Sequence, residues 1–271
     1  MGISVNPVIL SVGPFLLTWQ GFFTGLAVVA ALAAAAGSLH RHGFATNLAC
    51  DIVIWVIPPA LVGARLFHVL DSWNYYSFHP TEIVALGQGG ASLPGAWVVG
   101  AAAAFLFARR RRLPVGVFFD ALVLPVVLGL ATGRVGDFLT GAYQGRPTGL
   151  PVGIVYLHPS SYDHHRVPVH PAALYEIGWD ALIVGIVFAL RRLRPPAGVR
   201  SCLFAVLWGV GQVGIGFTRE LPPDVMGLGQ AQIIGAVVAV VGGLIMGLIL
   251  WRERMRSARS PAARGALAHP G

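Results

Sequence analysis

The fold of this chain is decided by residues 115–146, which read VGVFFDALVLPVVLGLATGRVGDFLTGAYQGR. The first part is an apolar run of the length that a membrane-spanning helix needs. The second part, from Gly133 to Arg146, contains two arginines, an aspartate and four glycines. The sequence therefore predicts a helix that crosses the bilayer and a polar, glycine-rich segment where the chain leaves it.

The composition of the whole chain agrees with a membrane location. Hydrophobic residues make up 55% of the 271 residues and charged residues only 11%, and the mean hydropathy is +0.70. Soluble domains carry about 25% charged residues, so the sequence indicates a multi-spanning membrane protein. The net charge of +8 is compatible with nucleic-acid binding, but long apolar runs separate the arginines. We therefore interpret these arginines as topology signals and predict no nucleic-acid partner.

Seven apolar runs are candidates for membrane-spanning helices, because a helix must keep roughly 20 mostly apolar residues in the hydrocarbon. The third run is short, and the glycine-rich segment Gly87 to Gly95 before it could form a re-entrant turn. The predicted spans are residues 15–37, 48–70, 95–108, 115–133, 171–190, 201–218 and 229–250.

The positions of the arginines predict the orientation of these spans. Clusters follow spans one, three, five and seven, namely Arg41, Arg109–Arg112, residues 191–194 and residues 252–259. The positive-inside rule places these clusters in the cytoplasm. The predicted fold is an all-α integral membrane protein with about seven transmembrane helices, its N-terminus outside and its C-terminus cytoplasmic. We expect a single polytopic domain over residues 1–252, an outer-face loop region at about 134–170, and a disordered basic tail over 253–271.

Several arginines depart from this cytoplasmic bias. Arg65, Arg134 and Arg219 lie near the predicted outer ends of spans, and Arg146 and Arg166 lie in the outer loop. Each one alone can be explained as a side chain that snorkels to the interface. Taken together they indicate a functional site, because cations within spans are costly. Arginine also suits bidentate phosphate contacts. The sequence thus predicts a site for an anionic phospholipid in the outer leaflet.

Acidic and histidine side chains add to the polar inventory. Glu176 and Asp180 are four residues apart on span five and share one helical face, which suits either charge balance within the bundle or catalysis. The outer loop contains four histidines, the commonest metal ligands. No HExxH or paired-cysteine spacing accompanies them, so we predict no metal site. His170 differs from the others because it directly precedes span five, at the mouth of the bundle.

The segment GRVGDFLTGAYQGR resembles the signature of the bacterial prolipoprotein diacylglyceryl transferase family, approximately G-R-x-G-N-F-x-N-x-E-x-x-G-R. Further segments are similar to the family in the same order along the chain. They are GARLFHVLDSWNYY after span two, GQGGASLPG, the helix start HPAALYE, and FTRELPPD before the last span. The resemblance covers nearly the whole chain and implies the same seven-span fold.

The family transfers the diacylglyceryl group of phosphatidylglycerol to the thiol of a lipobox cysteine in a prolipoprotein signal peptide. The resemblance therefore implies a multi-pass enzyme of the bacterial inner membrane that uses no cofactor. It implies that Arg134 holds the lipid headgroup in catalysis. Two further residues of this chain, Asp137 and His170, are candidate bases. The implied substrate-binding residues are Arg65, Gly133, Gly136, Gly145, Arg146, Tyr175, Glu176 and Arg219.

The chain also departs from the family pattern at several positions. Pro94 stands where the family has a histidine, and proline cannot transfer a proton. The other departures are Asp137 and Thr140 for asparagine, Ala142 for glutamate, Gln20 for tyrosine and Gln212 for arginine. These changes keep a second hypothesis open, a non-catalytic paralogue that binds anionic lipid or lipoprotein precursor. A small-solute transporter is a third, less favoured class, because the spans show no inverted repeat.

Overall fold

The computed structural model of the protein is mainly helical and describes residues 2–13, 15–45, 47–84, 92–143, 145–163, 166–220 and 227–259. The α-helices are α1 Trp19–Arg41, α2 Leu48–Trp55, α3 Ile57–Asp71, α4 Trp73–Tyr76, α5 Leu93–Arg110, α6 Val115–Thr140, α7 Ala172–Leu190, α8 Val199–Gly216 and α9 Gln230–Arg259. Short 3-10 helices occupy Pro80–Val84 and Arg191–Leu193. The β-strands are β1 Gly2–Ile3, β2 Val8–Val12, β3 Phe15–Thr18 and β4 Val155–Tyr156.

Within those described ranges, six helical segments are long and apolar enough to cross a membrane. They are Trp19–Arg41, Leu48–Asp71, Val115–Thr140, Ala172–Leu193, Val199–Gly216 and Gln230–Ala258. The chain is therefore a multi-pass membrane protein, as its composition predicts. Helix α5 lies where the third span was predicted, but Pro94, two glycines and its terminal arginines keep it out of this set. The count of seven spans and the outside N-terminus stay predictions.

One predicted span contains a break, and one predicted boundary differs from the structure. The second span is interrupted, since α2 ends at Trp55 and α3 begins at Ile57. Pro58 and Pro59 explain the break, because a proline has no N–H group to continue the hydrogen-bond ladder. The outer loop does not begin at residue 134, since α6 continues to Thr140. Arg134 and Asp137 therefore lie on a helix, three residues apart and close to one face of it.

The end of the chain corrects one further expectation. Helix α9 continues past the apolar run to Arg259, so residues 253–259 of the tail expected to be disordered are helical. The side chains of Arg252, Arg254 and Arg256 along this extension are exposed. The remaining tail residues, 260–271, lie outside the described residues.

The chain divides into two compact units, residues 1–34 with 122–271, and residues 35–121. The single domain expected over residues 1–252 stays a prediction. In the smaller unit, α3 and α5 pack closely through glycines. A Cβ atom at Gly95 would lie 2.4 Å from the Gly63 carbonyl oxygen, and one at Gly63 would lie 2.4 Å from Val99 Cβ. At another point of this unit Arg111 pairs with Asp51 at 3.1 Å.

The larger unit contains a small layer of strands beside its helices, which the sequence analysis did not predict. Strand β1 pairs in parallel with β4, and β2 pairs antiparallel with β3. Ile154, Tyr156 and Val169 form a buried cluster against Ile3 and Phe138. The Tyr156 hydroxyl donates to the Phe138 carbonyl oxygen at 2.8 Å. This cluster joins the loop after α6 to the last turn of that helix.

Candidate functional site

A buried arginine of the larger unit lies near the end of α6 and pairs with two carboxylates. The side chain of Arg134 on α6 is only 6% exposed. Its Nε donates to Glu176 Oε2 of α7 at 2.5 Å, and its Nη1 donates to Asp137 Oδ2 at 2.9 Å. Removing one partner from such a buried pair is costly, because the other charge is left without compensation. The two carboxylates therefore fix the position and the plane of this guanidinium group.

Asp137 is held from a second side by helix α1. Gln20 Nε2 donates to Asp137 Oδ1 at 3.0 Å, while Oδ2 accepts from Arg134. Each carboxylate oxygen of Asp137 thus already has a donor. Gln20 and Asp137 are two of the positions where this chain departs from the family pattern, and the structure brings these two departures into direct contact.

Tyr143 lies between two arginines, although sequence reasoning did not single it out. The guanidinium carbon of Arg134 lies 4.2 Å from the centroid of the Tyr143 ring, and that of Arg219 lies 3.7 Å from the same centroid. Cations at such distances are attracted by the ring quadrupole. The sequence did contain a signal for Tyr143, since it is an aromatic residue between the two arginines of the motif, in the segment GAYQGR.

Each of these arginines retains a nitrogen with no protein partner. Arg134 Nη2 and Arg219 Nε are buried and have no hydrogen-bond acceptor among the residues described. Buried donors are nearly always satisfied in folded proteins, so an orphaned pair calls for an explanation. A bound anion at this position would supply the missing acceptors.

The same charges act on the Tyr143 hydroxyl. Burial is the largest cause that raises the pKa of Tyr143 above its usual value. Arg134 and Arg219 oppose this shift, whereas Glu176 and Asp137 add to it. The phenol is therefore neutral at physiological pH, and Tyr143 presents an uncharged aromatic ring to the two arginines.

Arg219 is positioned through the backbone. It follows α8, and its residue forms an antiparallel bridge with Gly145. The Arg146 amide donates to the Thr218 carbonyl at 2.9 Å, and Arg146 Nε donates to the Arg219 carbonyl at 3.1 Å. Arg146, predicted to bind substrate, is exposed and holds the turn that presents Arg219.

Gly145 and His170 meet at the two ends of the outer loop. A Cβ atom at Gly145 would lie 2.0 Å from the His170 carbonyl oxygen, so only glycine fits there. The His170 amide donates to the Arg146 carbonyl at 3.0 Å, and its Nδ1 lies 3.2 Å from the Tyr175 hydroxyl. In the described part of the chain, this hydroxyl is the only hydrogen-bond partner of the imidazole. His170 and Tyr175 thus form a polar pair at the start of α7.

Two other glycines, Gly133 and Gly136, were predicted to bind substrate. Both face residues of helix α1. At Gly136 a Cβ atom would approach Gln20 Cα and the Trp19 carbonyl to 2.9 Å, whereas at Gly133 it would meet only Ala27 Cβ, at 3.9 Å. Gly136 therefore permits close packing of two helices and brings Gln20 within reach of Asp137. A substrate role for either glycine stays a prediction.

Arg65 belongs to the smaller unit and has a different environment. Its side chain is 7% exposed, and its guanidinium lies 5.3 Å from the Tyr76 ring centroid. Nε donates to the Ile83 carbonyl at 2.9 Å, and Nη2 donates to the Glu82 carbonyl at 2.6 Å. These contacts tie residues 82 and 83 to α3. The substrate contact predicted for Arg65 stays a prediction.

Some predicted features lie partly outside the described residues. Of the glycine-rich turn before α5, the structure describes the region from Ser92 onward, whose amide donates to the Ala64 carbonyl at 2.9 Å. Residues 85–91 and the histidines at 164 and 165 lie outside. Within the described ranges, no three side chains of the metal-ligating types come together.

Comparisons with known proteins place this chain in a family. The family model described as prolipoprotein diacylglyceryl transferase matches residues 7–250. A phosphatidylglycerol–prolipoprotein diacylglyceryl transferase of Synechococcus elongatus is 30% identical over 275 residues, covering 97% of this chain and 93% of that protein. The enzyme of the same name from Dehalococcoides mccartyi is 32% identical and covers 88% of this chain and 92% of its own length. This chain belongs to the prolipoprotein diacylglyceryl transferase family.

Proposed function

We propose that this protein transfers the diacylglyceryl group of phosphatidylglycerol to a prolipoprotein, as the names of its relatives state for those proteins. The acceptor is the lipobox cysteine of a signal peptide, and the setting is the bacterial inner membrane. This proposal assigns the site to the outer leaflet, where both the lipid and the translocated precursor are available. The protein acts as a transferase of lipoprotein biosynthesis.

One observation supports this proposal more than any other. Arg134 Nη2 and Arg219 Nε are buried nitrogens without an acceptor among the described residues, and both guanidinium groups contact the Tyr143 ring. A phosphate group is the anion whose tetrahedral oxygens can accept from both. Arginines fixed in advance cost no reorganisation when charge develops on a departing phosphate. The pair therefore suits both headgroup binding and leaving-group stabilisation.

The reaction forms a bond between the cysteine sulfur and a glyceryl carbon, and it breaks the bond between that carbon and the phosphate oxygen. Glycerol phosphate leaves with the electron pair of the broken bond. The thiol proton goes to a base or to the departing phosphate, because the thiolate is the attacking species. His170, with its Nδ1 beside the Tyr175 hydroxyl, is the candidate base. Asp137, whose oxygens both have donors, is assigned to hold Arg134.

A lipidation assay with the purified full-length protein tests this function. A lipobox peptide is incubated with the protein in vesicles that contain phosphatidylglycerol, and the thioether product is measured by mass spectrometry. We expect one added diacylglyceryl group on the cysteine peptide and none on a matched peptide with serine in its place. If no product forms with any anionic lipid, while the protein binds the peptide or the lipid, the non-catalytic paralogue is the better account.

A further inference from the structure

The charges around the orphaned nitrogens nearly cancel, which is unexpected for an anion site. Arg134 and Arg219 contribute two positive charges. Asp137 and Glu176, both buried, contribute two negative ones at hydrogen-bond distance from Arg134. Asp180, also buried and one turn from Glu176 on α7, can only make the balance more negative. A site built for the strongest possible anion binding would not place two carboxylates on one arginine.

The carboxylates also limit the number of donors that a ligand can use. Arg134 Nε and Nη1 are occupied by Glu176 and Asp137, so Nη2 is the nitrogen left to this residue. A fork in which Nε and Nη2 bind a single anion, a strong arginine contact with phosphate, is therefore blocked at Arg134, because Glu176 accepts from Nε. The site can give a hydrogen bond from each of two arginines without a large excess of positive charge.

The two phosphates of the proposed reaction differ in charge. A phosphodiester headgroup carries one negative charge, whereas a phosphomonoester is close to doubly charged at neutral pH because its second pKa is near 6. Attraction by the two arginines and repulsion by the two carboxylates both double for the dianion, so the second charge gains little where they nearly cancel. The cost of taking an ion out of water is larger for the dianion, so a nearly neutral site favours the monoanion. The departing group thus becomes a poorer ligand as the bond breaks and its second charge develops.

We propose that Asp137 sets the charge selectivity of this site, so that the protein retains a monoanionic phosphodiester and releases the dianionic phosphomonoester product. Gln20 fixes the carboxylate from the side opposite Arg134. This inference rests on the proposed function for the identity of the two ligands. It concerns binding equilibria, however, and can be measured without turnover.

The experiment measures the affinity of the full-length protein for two soluble headgroup analogues, in nanodiscs of zwitterionic phosphatidylcholine. Glycerophosphoglycerol is the monoanionic diester, and glycerol phosphate at pH 8 is the dianionic monoester. Titration calorimetry gives both dissociation constants. We expect the unmutated protein to bind the diester at least as tightly as it binds the monoester. In Asp137→Asn the affinity for the monoester should rise roughly tenfold more than that for the diester, because one nearby negative charge is lost.

Three variants keep the result specific to this charge. Asp137→Glu retains the charge and should keep the unmutated ratio of affinities. Gln20→Leu removes the hydrogen bond without removing the charge, and should also keep it. Glu253→Gln makes the same change in net charge near the C-terminal end of α9, on its exposed extension. This variant should leave the ratio of affinities unchanged. Diester binding by Asp137→Asn itself shows that this variant is folded.

The outcomes separate this inference from the proposed function. An unchanged ratio in Asp137→Asn, or an equal change in Glu253→Gln or Gln20→Leu, overturns the charge selectivity. Failure of the unmutated protein to bind either analogue also overturns it. In both cases, thioether formation in the lipidation assay would still support the transferase. Conversely, if the affinities show the expected ratio but no lipidated peptide forms, the charge-selective phosphate site is supported and the transferase activity is contradicted.

Discussion

Two buried arginines of this protein, Arg65 and Arg134, look alike in the sequence and differ in their partners. Both lie in candidate membrane spans, both are at most 7% exposed, and both approach a tyrosine ring. Arg65 donates to the backbone carbonyls of residues 82 and 83. Arg134 donates to two carboxylates and keeps one nitrogen without a protein acceptor. The partners, more than burial or position, separate an arginine that ties down a chain segment from one that can bind a ligand.

Replacing Arg134 should have the largest effect on thioether formation. In Arg134→Ala we expect thioether formation to fall at least about 100-fold, the loss typical of removing a preorganised donor to developing charge. The free energy of unfolding should also fall, by about 3–5 kcal/mol, because Glu176 and Asp137 keep buried charges without a partner. Initial rates with the lipobox peptide, and urea or thermal unfolding in detergent, measure the two effects. An activity within about threefold of the unmutated protein would contradict the role assigned to Arg134.

The platform between the arginines should matter less than either charge. In Tyr143→Ala the ring that spaces Arg134 and Arg219 is lost, and we expect kcat/KM to fall roughly tenfold, on the scale of two cation–π contacts. Tyr143→Phe keeps the ring and is the matched control. Burial raises the pKa of Tyr143, so the phenol stays protonated below pH 10 in the folded protein. The pH profile of Tyr143→Phe between pH 6 and 9 should therefore match that of the unmutated protein, and a missing limb would make the hydroxyl a proton donor or acceptor.

Replacing Arg65 should give the smallest change in activity, unlike the replacement of Arg134. In Arg65→Met the contacts to residues 82 and 83 are lost, and the free energy of unfolding should fall by about 1–3 kcal/mol. Hydrogen exchange of the amides in residues 72–84 should become faster, because they are no longer held to α3. Thioether formation by the folded fraction should stay within about threefold. A loss as deep as that of Arg134→Ala would give Arg65 the substrate contact predicted from the sequence.

The sequence predicted the helices well, because apolar runs of membrane length have few other solutions. Spans six and seven begin within two residues of α8 and α9. The prediction ended α6 too early, since Gly133 and Arg134 resemble a helix end by composition. The last turns of α6 are held by the Tyr156 hydroxyl, which donates to the Phe138 carbonyl, a contact from the following loop that local sequence does not reveal.

The site was only partly predictable for a similar reason. The motif identified Arg134, and counting arginines against the cytoplasmic bias identified Arg219. Neither method could pair Gln20 with Asp137, because these residues are far apart in the chain and meet only where Gly136 lets α1 approach α6. Tyr143 was missed because an aromatic residue in an apolar chain is usually packing. Spatial contacts between distant segments decide which of the polar residues form one site.

The exposed turn at Gly149 and Leu150 has a practical consequence for biochemical work on this protein. The loop around it is anchored by main-chain hydrogen bonds, from Thr148 to the Pro168 carbonyl and from Val169 to the Ile154 carbonyl, whereas a Cβ atom at Gly149 would meet nothing within 4 Å. Insertions are best tolerated at such loop tips. A short epitope placed after Gly149 would thus be displayed on the loop between α6 and α7. Antibody labelling of intact and permeabilised cells would then report which side of the membrane bears this end of the protein.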